Sequence, residues 1–259
     1  MPDFRNSIYC LFVETIQTCR DMQNKMEINF EGKIFHLAWS FIALNDLGQS
    51  TLISWLNEEE QNTANGFGND AKAVEFAAGR YCVKQAFATH TPSAAAESVT
   101  INVGVWGFPI IEGQNVNISI AHTHSHAMAI CADGALPAGV DIEDHSSSND
   151  EAILSQLSRS ELRLLSLFPD ESEGLHLLWA AKEAVAKAMR TGFRLPMSFF
   201  EISSAAYVNG TWHVNFKTAS VLSVTAIKKK SVIVALALPA GSVVQQGFEA
   251  LFSAALPGA

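Results

Sequence analysis

The spacing of apolar and polar positions changes character several times along the chain. Residues 1–27 keep no period and read as an N-terminal extension, although Met26 opens a more orderly stretch and is a second candidate start. Residues 34–44 (IFHLAWSFIAL) form a strand-like run. Asn57 followed by Glu60 is a helix-start pattern, because an asparagine side chain accepts from free N–H groups and a glutamate suits the positive helix end. The spacing predicts a helix over 71–88, with Phe76, Arg80, Val83 and Phe87 on one face and Lys84 one turn beyond Arg80. Strands are predicted over 99–106, 116–121 and 127–132. Asp133-Gly134 is a hairpin-turn signal, and residues 138–143 read as the returning strand.

Residues 144–150 (DHSSSND) read as a linker. Ser158 and Glu161 then form a second helix-start pattern, and Pro169 stops that helix. The strongest helical period runs over 173–191, with Leu178, Ala181, Val185 and Ala188 as its apolar stripe and Gly192 as its cap. Strands are predicted over 212–216, 221–227 and 232–238. No sequence repeat is visible, yet both halves offer helix and antiparallel strands. The expectation is an α+β protein of two similar lobes related by a pseudo-twofold axis, residues 28–146 and 147–259, after the extension.

Composition narrows the function. The chain of 259 residues carries 17 Lys+Arg against 26 Asp+Glu, a net charge of −9, which argues against a protein that coats nucleic acid. Cys10, Cys19, Cys82 and Cys131 show no CxxC spacing and read as reduced thiols of a cytoplasmic protein. No run approaches the roughly 18 apolar residues of a membrane span, and no signal peptide is expected.

Three stretches carry candidate chemistry. Asp141 and Glu143 are two apart on a predicted strand and so face one way; side by side they repel unless a cation lies between them, and a hard divalent ion is the usual partner. Alone, the pair equally fits a solvated strand end. Trp179, Glu183 and Lys187 stack along one helix face, where an ordinary i,i+4 ion pair is the simplest account. His122, His124 and His126 alternate, and on one strand would face one way as ligands for a transition metal. The HxHxDH run of metallo-hydrolases would need aspartate at 128 and histidine at 129, where the chain has Met128 and Ala129.

Taken in order, NISIAHT, AGVDIED and WAAKEAVAKAM resemble the motifs of the 4′-phosphopantetheinyl transferases, specifically the two-lobed surfactin-type group. The stretch EFAAGRYCVKQAF resembles that family's GR-containing helix, and Gly107-Phe108-Pro109 its G-x-P turn; the resemblance runs from about residue 33 to 205. It implies transfer of the 4′-phosphopantetheine arm of coenzyme A to a serine of an acyl or peptidyl carrier protein, with release of 3′,5′-ADP. It implies Mg²⁺, or Mn²⁺, held by Asp141, Glu143 and Glu183, with Glu183 also helping to deprotonate the serine and Lys187 beside the transferring phosphate. Arg80, Lys84 and Lys182 are implied phosphate contacts, together with His122; an ungapped count back from GVDIE selects His124 instead. Arg190, Arg194 and the lysines at 228–230 are candidates for a carrier-docking patch. A monomer is expected, because one chain supplies both halves of the site. Two alternatives stand beside this reading: a metal-dependent phosphoester hydrolase built on His122, His124, His126 and Asp141, and an inactive binding module of the same fold.

Overall fold

The computed structural model describes residues 24–46, 49–93, 99–145 and 149–244. The first hairpin pairs β1 (Lys25–Phe30) with β2 (Lys33–Ala43), so residues 25–27, read as the end of an irregular extension, already belong to a strand. Cys10 and Cys19 lie outside the described residues. A short α1 (Gln49–Ser54) and α2 (Glu58–Asn65) lead into the 21-residue α3 (Asp70–His90). Then come β3 (Ile101–Val103), β4 (Pro109–Ile111), β5 (Val116–His122), β6 (His126–Asp133) and β7 (Gly139–Asp144). The rest of the chain forms α4 (Asp150–Leu154), α5 (Arg159–Leu162), α6 (Glu171–Ala188), β8 (Ile202–Val208), β9 (Thr211–Phe216), β10 (Leu222–Lys229), β11 (Val232–Pro239) and β12 (Val243–Val244).

Two five-stranded antiparallel sheets result, ordered β12-β1-β2-β6-β5 and β7-β11-β10-β9-β8. The α+β class is as the pattern predicts. The sheets pack face to face, and each carries one long helix on its other face. Alternation along the two best-buried strands shows why. In β6, Met128 and Ile130 enter the core between the sheets, while Ala127, Ala129 and Cys131 enter the core under α3. In β11, Val234 and Leu236 face the first sheet, while Ile233, Ala235 and Ala237 face α6. Strands buried on both faces read as unbroken apolar runs, which is how both appear in the sequence. Cys82 and Cys131 are free and buried, and burial pushes both thiols up to about 12. No described helix is long and apolar enough to cross a membrane.

Three local expectations change. Residues 99–106 are not one strand: Gly107, at φ +86°, turns the chain between β3 and β4, its N–H donating to Gly104 O at 2.9 Å. Asp133-Gly134 does not close a hairpin, because β7 pairs with β11 and not with β6; the turn carries the chain from one sheet to the other. The expected lobe boundary at 146/147 therefore differs from the sheet boundary: β7 lies in the second sheet, and β12 returns to pair with β1 in the first. Finally, α6 ends at Ala188 and its left-handed cap is Arg190, at φ +57°. Arg190 N–H donates to Lys187 O at 2.9 Å and Thr191 N–H to Ala186 O at 3.1 Å, the two bonds of a Schellman cap.

Both helix starts read from the sequence are full capping boxes, and their glutamates share a second task. Glu60 accepts from Asn57 N–H at 3.1 Å and pairs with Lys84 of α3 at 2.8 Å. Glu161 accepts from Ser158 N–H at 2.7 Å and pairs with Lys182 of α6 at 2.8 Å. The same device thus ties a long helix to the loop before it in each half of the chain.

Candidate active site

The site forms where the edge strands β5 and β7 of the two sheets meet. They are joined by side chains instead of a backbone ladder. Val140 N–H donates to Ser119 Oγ at 3.1 Å, and Asn117 Nδ2 donates to Leu136 O and Ala138 O at 2.9 and 3.2 Å. Along β7, Val140 and Ile142 point into the core between the sheets, so Gly139, Asp141 and Glu143 turn toward α6. Gly139 lets that helix come close: a Cβ there would lie 2.2 Å from Ala184 O and 2.4 Å from Ala188 N. Residues 184–188 are the turn that follows Glu183 and contains Lys187, so this contact sets two sequence-predicted side chains against the β7 carboxylates.

Lys187 Nζ donates to Asp141 Oδ1 at 2.6 Å. The other oxygen, Asp141 Oδ2, is buried with no hydrogen-bond partner. Burial pushes the Asp141 carboxyl up to about 7; Lys187 opposes this, while Glu183 and Glu143 add to it. Glu183 is raised as well, chiefly by burial, with Lys187 opposing and Glu143 contributing. Asp141, Glu143 and Glu183 therefore stand close enough for their charges to conflict. Three hard oxygen donors, one of them orphaned, suit a divalent cation such as Mg²⁺, which would relieve that conflict. Among the described residues no three His, Cys, Asp or Glu side chains already stand in ligating geometry. The ammonium of Lys187 supplies the positive charge beside Asp141.

A cleft of about 310 Å³ opens next to Lys187, between α3, the β3–β4 turn, β5 and the end of α6. Arg80, His122, Lys187 and Arg190 line it. Arg80 lies over the Phe76 ring at 4.5 Å and Arg190 over the Phe108 ring at 5.1 Å. Arg190 Nη2 also donates to Asn117 Oδ1 at 3.0 Å. Arg80 Nε is buried without a hydrogen-bond partner, 3.8 Å from Glu60 Oε1. His122, rather than His124, lines the cleft, 3.7 Å from Glu75; burial lowers its pKa, partly offset by Glu75 and reinforced by Lys187.

Lys84 and Lys182 do not join this group. Lys84 is fully buried, held by Glu60 and by Trp55 O at 2.6 Å. Lys182 is fully buried, held by Glu161 and by Gln156 O at 3.2 Å. Both are fully buried in structural ion pairs and neither lines the cleft, so the phosphate-contact role expected for them is withdrawn. Nor do the three histidines share one strand face: β5 ends at His122, β6 begins at His126, and His124 sits exposed in the turn between. Trp179 packs on the core beside Phe193, with ring centroids 5.2 Å apart. Of the expected docking cations, Arg190 faces the cleft, and Lys228 pairs with Glu173 at 2.5 Å.

Arg190 is a docking candidate by sequence, yet it lines the cleft. No spacing or motif in the sequence singles out His176. It is fully buried, with Nε2 3.0 Å from Asp150 Oδ1 and Nδ1 3.6 Å from Glu143 Oε2. Burial alone would lower its pKa, but the two carboxylates outweigh burial and raise it.

Residues 137–237 match the family model of the 4′-phosphopantetheinyl transferase superfamily. No curated protein matches the chain. The matched span takes in β7 and α6, and with them Asp141, Glu143, His176, Glu183, Lys187 and Arg190; Arg80 and His122 lie before it. Over residues 137–237, then, this chain is similar to the 4′-phosphopantetheinyl transferase superfamily.

Proposed function

We propose that this protein transfers the 4′-phosphopantetheine arm of coenzyme A to a serine hydroxyl of an acyl or peptidyl carrier protein, with Mg²⁺, releasing 3′,5′-ADP. The observation that carries this reading is the meeting of a carboxylate cluster and four cationic or donor side chains where the two sheets join. The serine oxygen forms a bond to the β-phosphorus, the bridging P–O bond to the nucleotide breaks, and the serine proton leaves. Such a reaction asks for positioning and charge neutralisation above all.

Asp141, Glu143 and Glu183 would hold the divalent cation, which when bound neutralises diphosphate oxygens. Lys187, held beside Asp141, would stabilise charge on the transferring phosphoryl group. Arg80, His122 and Arg190 would bind the nucleotide's phosphates, with Phe76 and Phe108 backing the two guanidinium groups. Glu183, its pKa raised by burial, would accept the serine proton through a water molecule. One chain provides every wall of the cleft, which supports a monomer; the buried thiols support a cytoplasmic setting. The hydrolase reading draws less support, because its histidines are divided between two strands and a turn.

The test is mass spectrometry of apo carrier proteins incubated with the protein, coenzyme A and Mg²⁺, against an EDTA control. The expected result is a gain of one phosphopantetheine arm on the carrier serine, lost with EDTA. Absence of the gain on fatty-acid, polyketide and peptide carriers alike would overturn the reading. Arg190→Ala is expected to weaken binding of 3′,5′-ADP about tenfold, the scale of one lost charge-assisted contact, as read by calorimetry. Unchanged affinity would remove Arg190 from the donor site.

A further inference from the structure

Resting on the proposed metal-dependent transfer, we infer that His176 is a positioning residue that holds Glu143 in the orientation needed to ligate the divalent cation. His176 lies on α6 seven residues before Glu183, so the two share a helix face two turns apart. The β7 carboxylates are thereby bracketed by two side chains of one helix: Lys187 reaches Asp141 from one end and His176 meets Glu143 from the other.

The ring cannot turn freely. Its Nε2 is tied to Asp150 Oδ1 at 3.0 Å, and the other oxygen of Asp150 accepts from Ser172 Oγ at 3.0 Å. Asp150 opens α4 and Ser172 sits in the first turn of α6, so two helix starts fix the imidazole plane. With Nε2 committed, Nδ1 stands 3.6 Å from Glu143 Oε2 and is buried with no hydrogen-bond partner among the described residues. A buried nitrogen in that state is costly. A small pivot of the Glu143 carboxylate closes the gap and leaves its second oxygen for a cation. Outer hydrogen bonds of this kind orient metal-ligating carboxylates and set affinity for the ion.

The experiment measures Mn²⁺ binding by electron paramagnetic resonance, without coenzyme A, for the full chain and three variants. His176→Leu and His176→Asn have nearly the same shape, but asparagine keeps a donor where Nδ1 stands. The leucine variant is expected to bind Mn²⁺ about 10- to 100-fold more weakly, and the asparagine variant nearly as tightly as the parent. Asp150→Ala, which frees the ring from a half-exposed position, is expected to fall between them and carries the test if the leucine variant does not fold. Binding of 3′,5′-ADP in EDTA is expected to be the same in all of them. Equal weakening by leucine and asparagine, or unchanged Mn²⁺ binding in the leucine and Asp150 variants, would overturn the inference. A parent protein that binds no Mn²⁺ would overturn the metal reading itself, and this inference with it.

Discussion

Glu183→Gln is expected to slow transfer by about a thousandfold or more while leaving the folded protein at least as stable as the parent. The two effects have one origin. Glu183 lies in a partly buried cluster with Asp141 and Glu143, where burial and like charge already make its ionised form unfavourable. An amide of the same shape removes that conflict, so thermal unfolding is expected to shift upward or stay in place. The same change removes one charged oxygen donor for the cation and the group proposed to accept the serine proton. Either loss alone typically costs about 10² to 10⁴ in rate. The measurement is single-turnover transfer at saturating coenzyme A, with circular dichroism melting alongside. A rate within tenfold of the parent would sink the assignment of Glu183.

The second large effect is expected from Gly139→Ala. The added methyl would sit 2.2 Å from Ala184 O and 2.4 Å from Ala188 N. Both are backbone atoms of α6, so no side chain can swing aside. The helix must back away from β7, opening the core beneath it, and the expected cost is about 3 kcal/mol, at the upper end for overpacking. Because residues 184–188 follow Glu183 and include Lys187, activity should fall with stability. Gly79→Ala provides the contrast. Its methyl meets only the Ile120 Cγ2 atom, at 3.0 Å. The gain in helix propensity there, about 1 kcal/mol, offsets that milder contact. Urea unfolding of the two variants checks the difference, and equal midpoints would show that the α6–β7 approach does not depend on a glycine.

These contacts also show what a single sequence displays and what it hides. Period and capping are local, so α3, α6 and both capping boxes are legible, as is the shared face of Asp141 and Glu143. Partnerships across the chain are not local. Asp133-Gly134 has the chemistry of a hairpin turn, but β7 is claimed by β11, about ninety residues further on, whose apolar face needs a neighbour. Lys84 and Lys182 sit at helix positions that look exposed by spacing alone. Each is covered by the loop that starts the preceding short helix, and no periodicity announces that cover. His176 belongs to the same class: its importance comes from Asp150 and Glu143, which approach it from two other elements. The residues read most securely are those whose neighbours lie within a few positions along the chain.

Arg190 ends α6 in a backbone state that glycine adopts freely and that costs other residues about 1–2 kcal/mol. A chain selected for durability alone would carry glycine there. This one keeps a long cationic side chain, braced on Phe108 and Asn117, at the lip of the cleft. Under the proposed transfer, thermostability and grip on the anionic donor therefore pull against each other at this one residue. Variants chosen only for a higher melting temperature would drift toward glycine at 190 and would hold the donor less tightly.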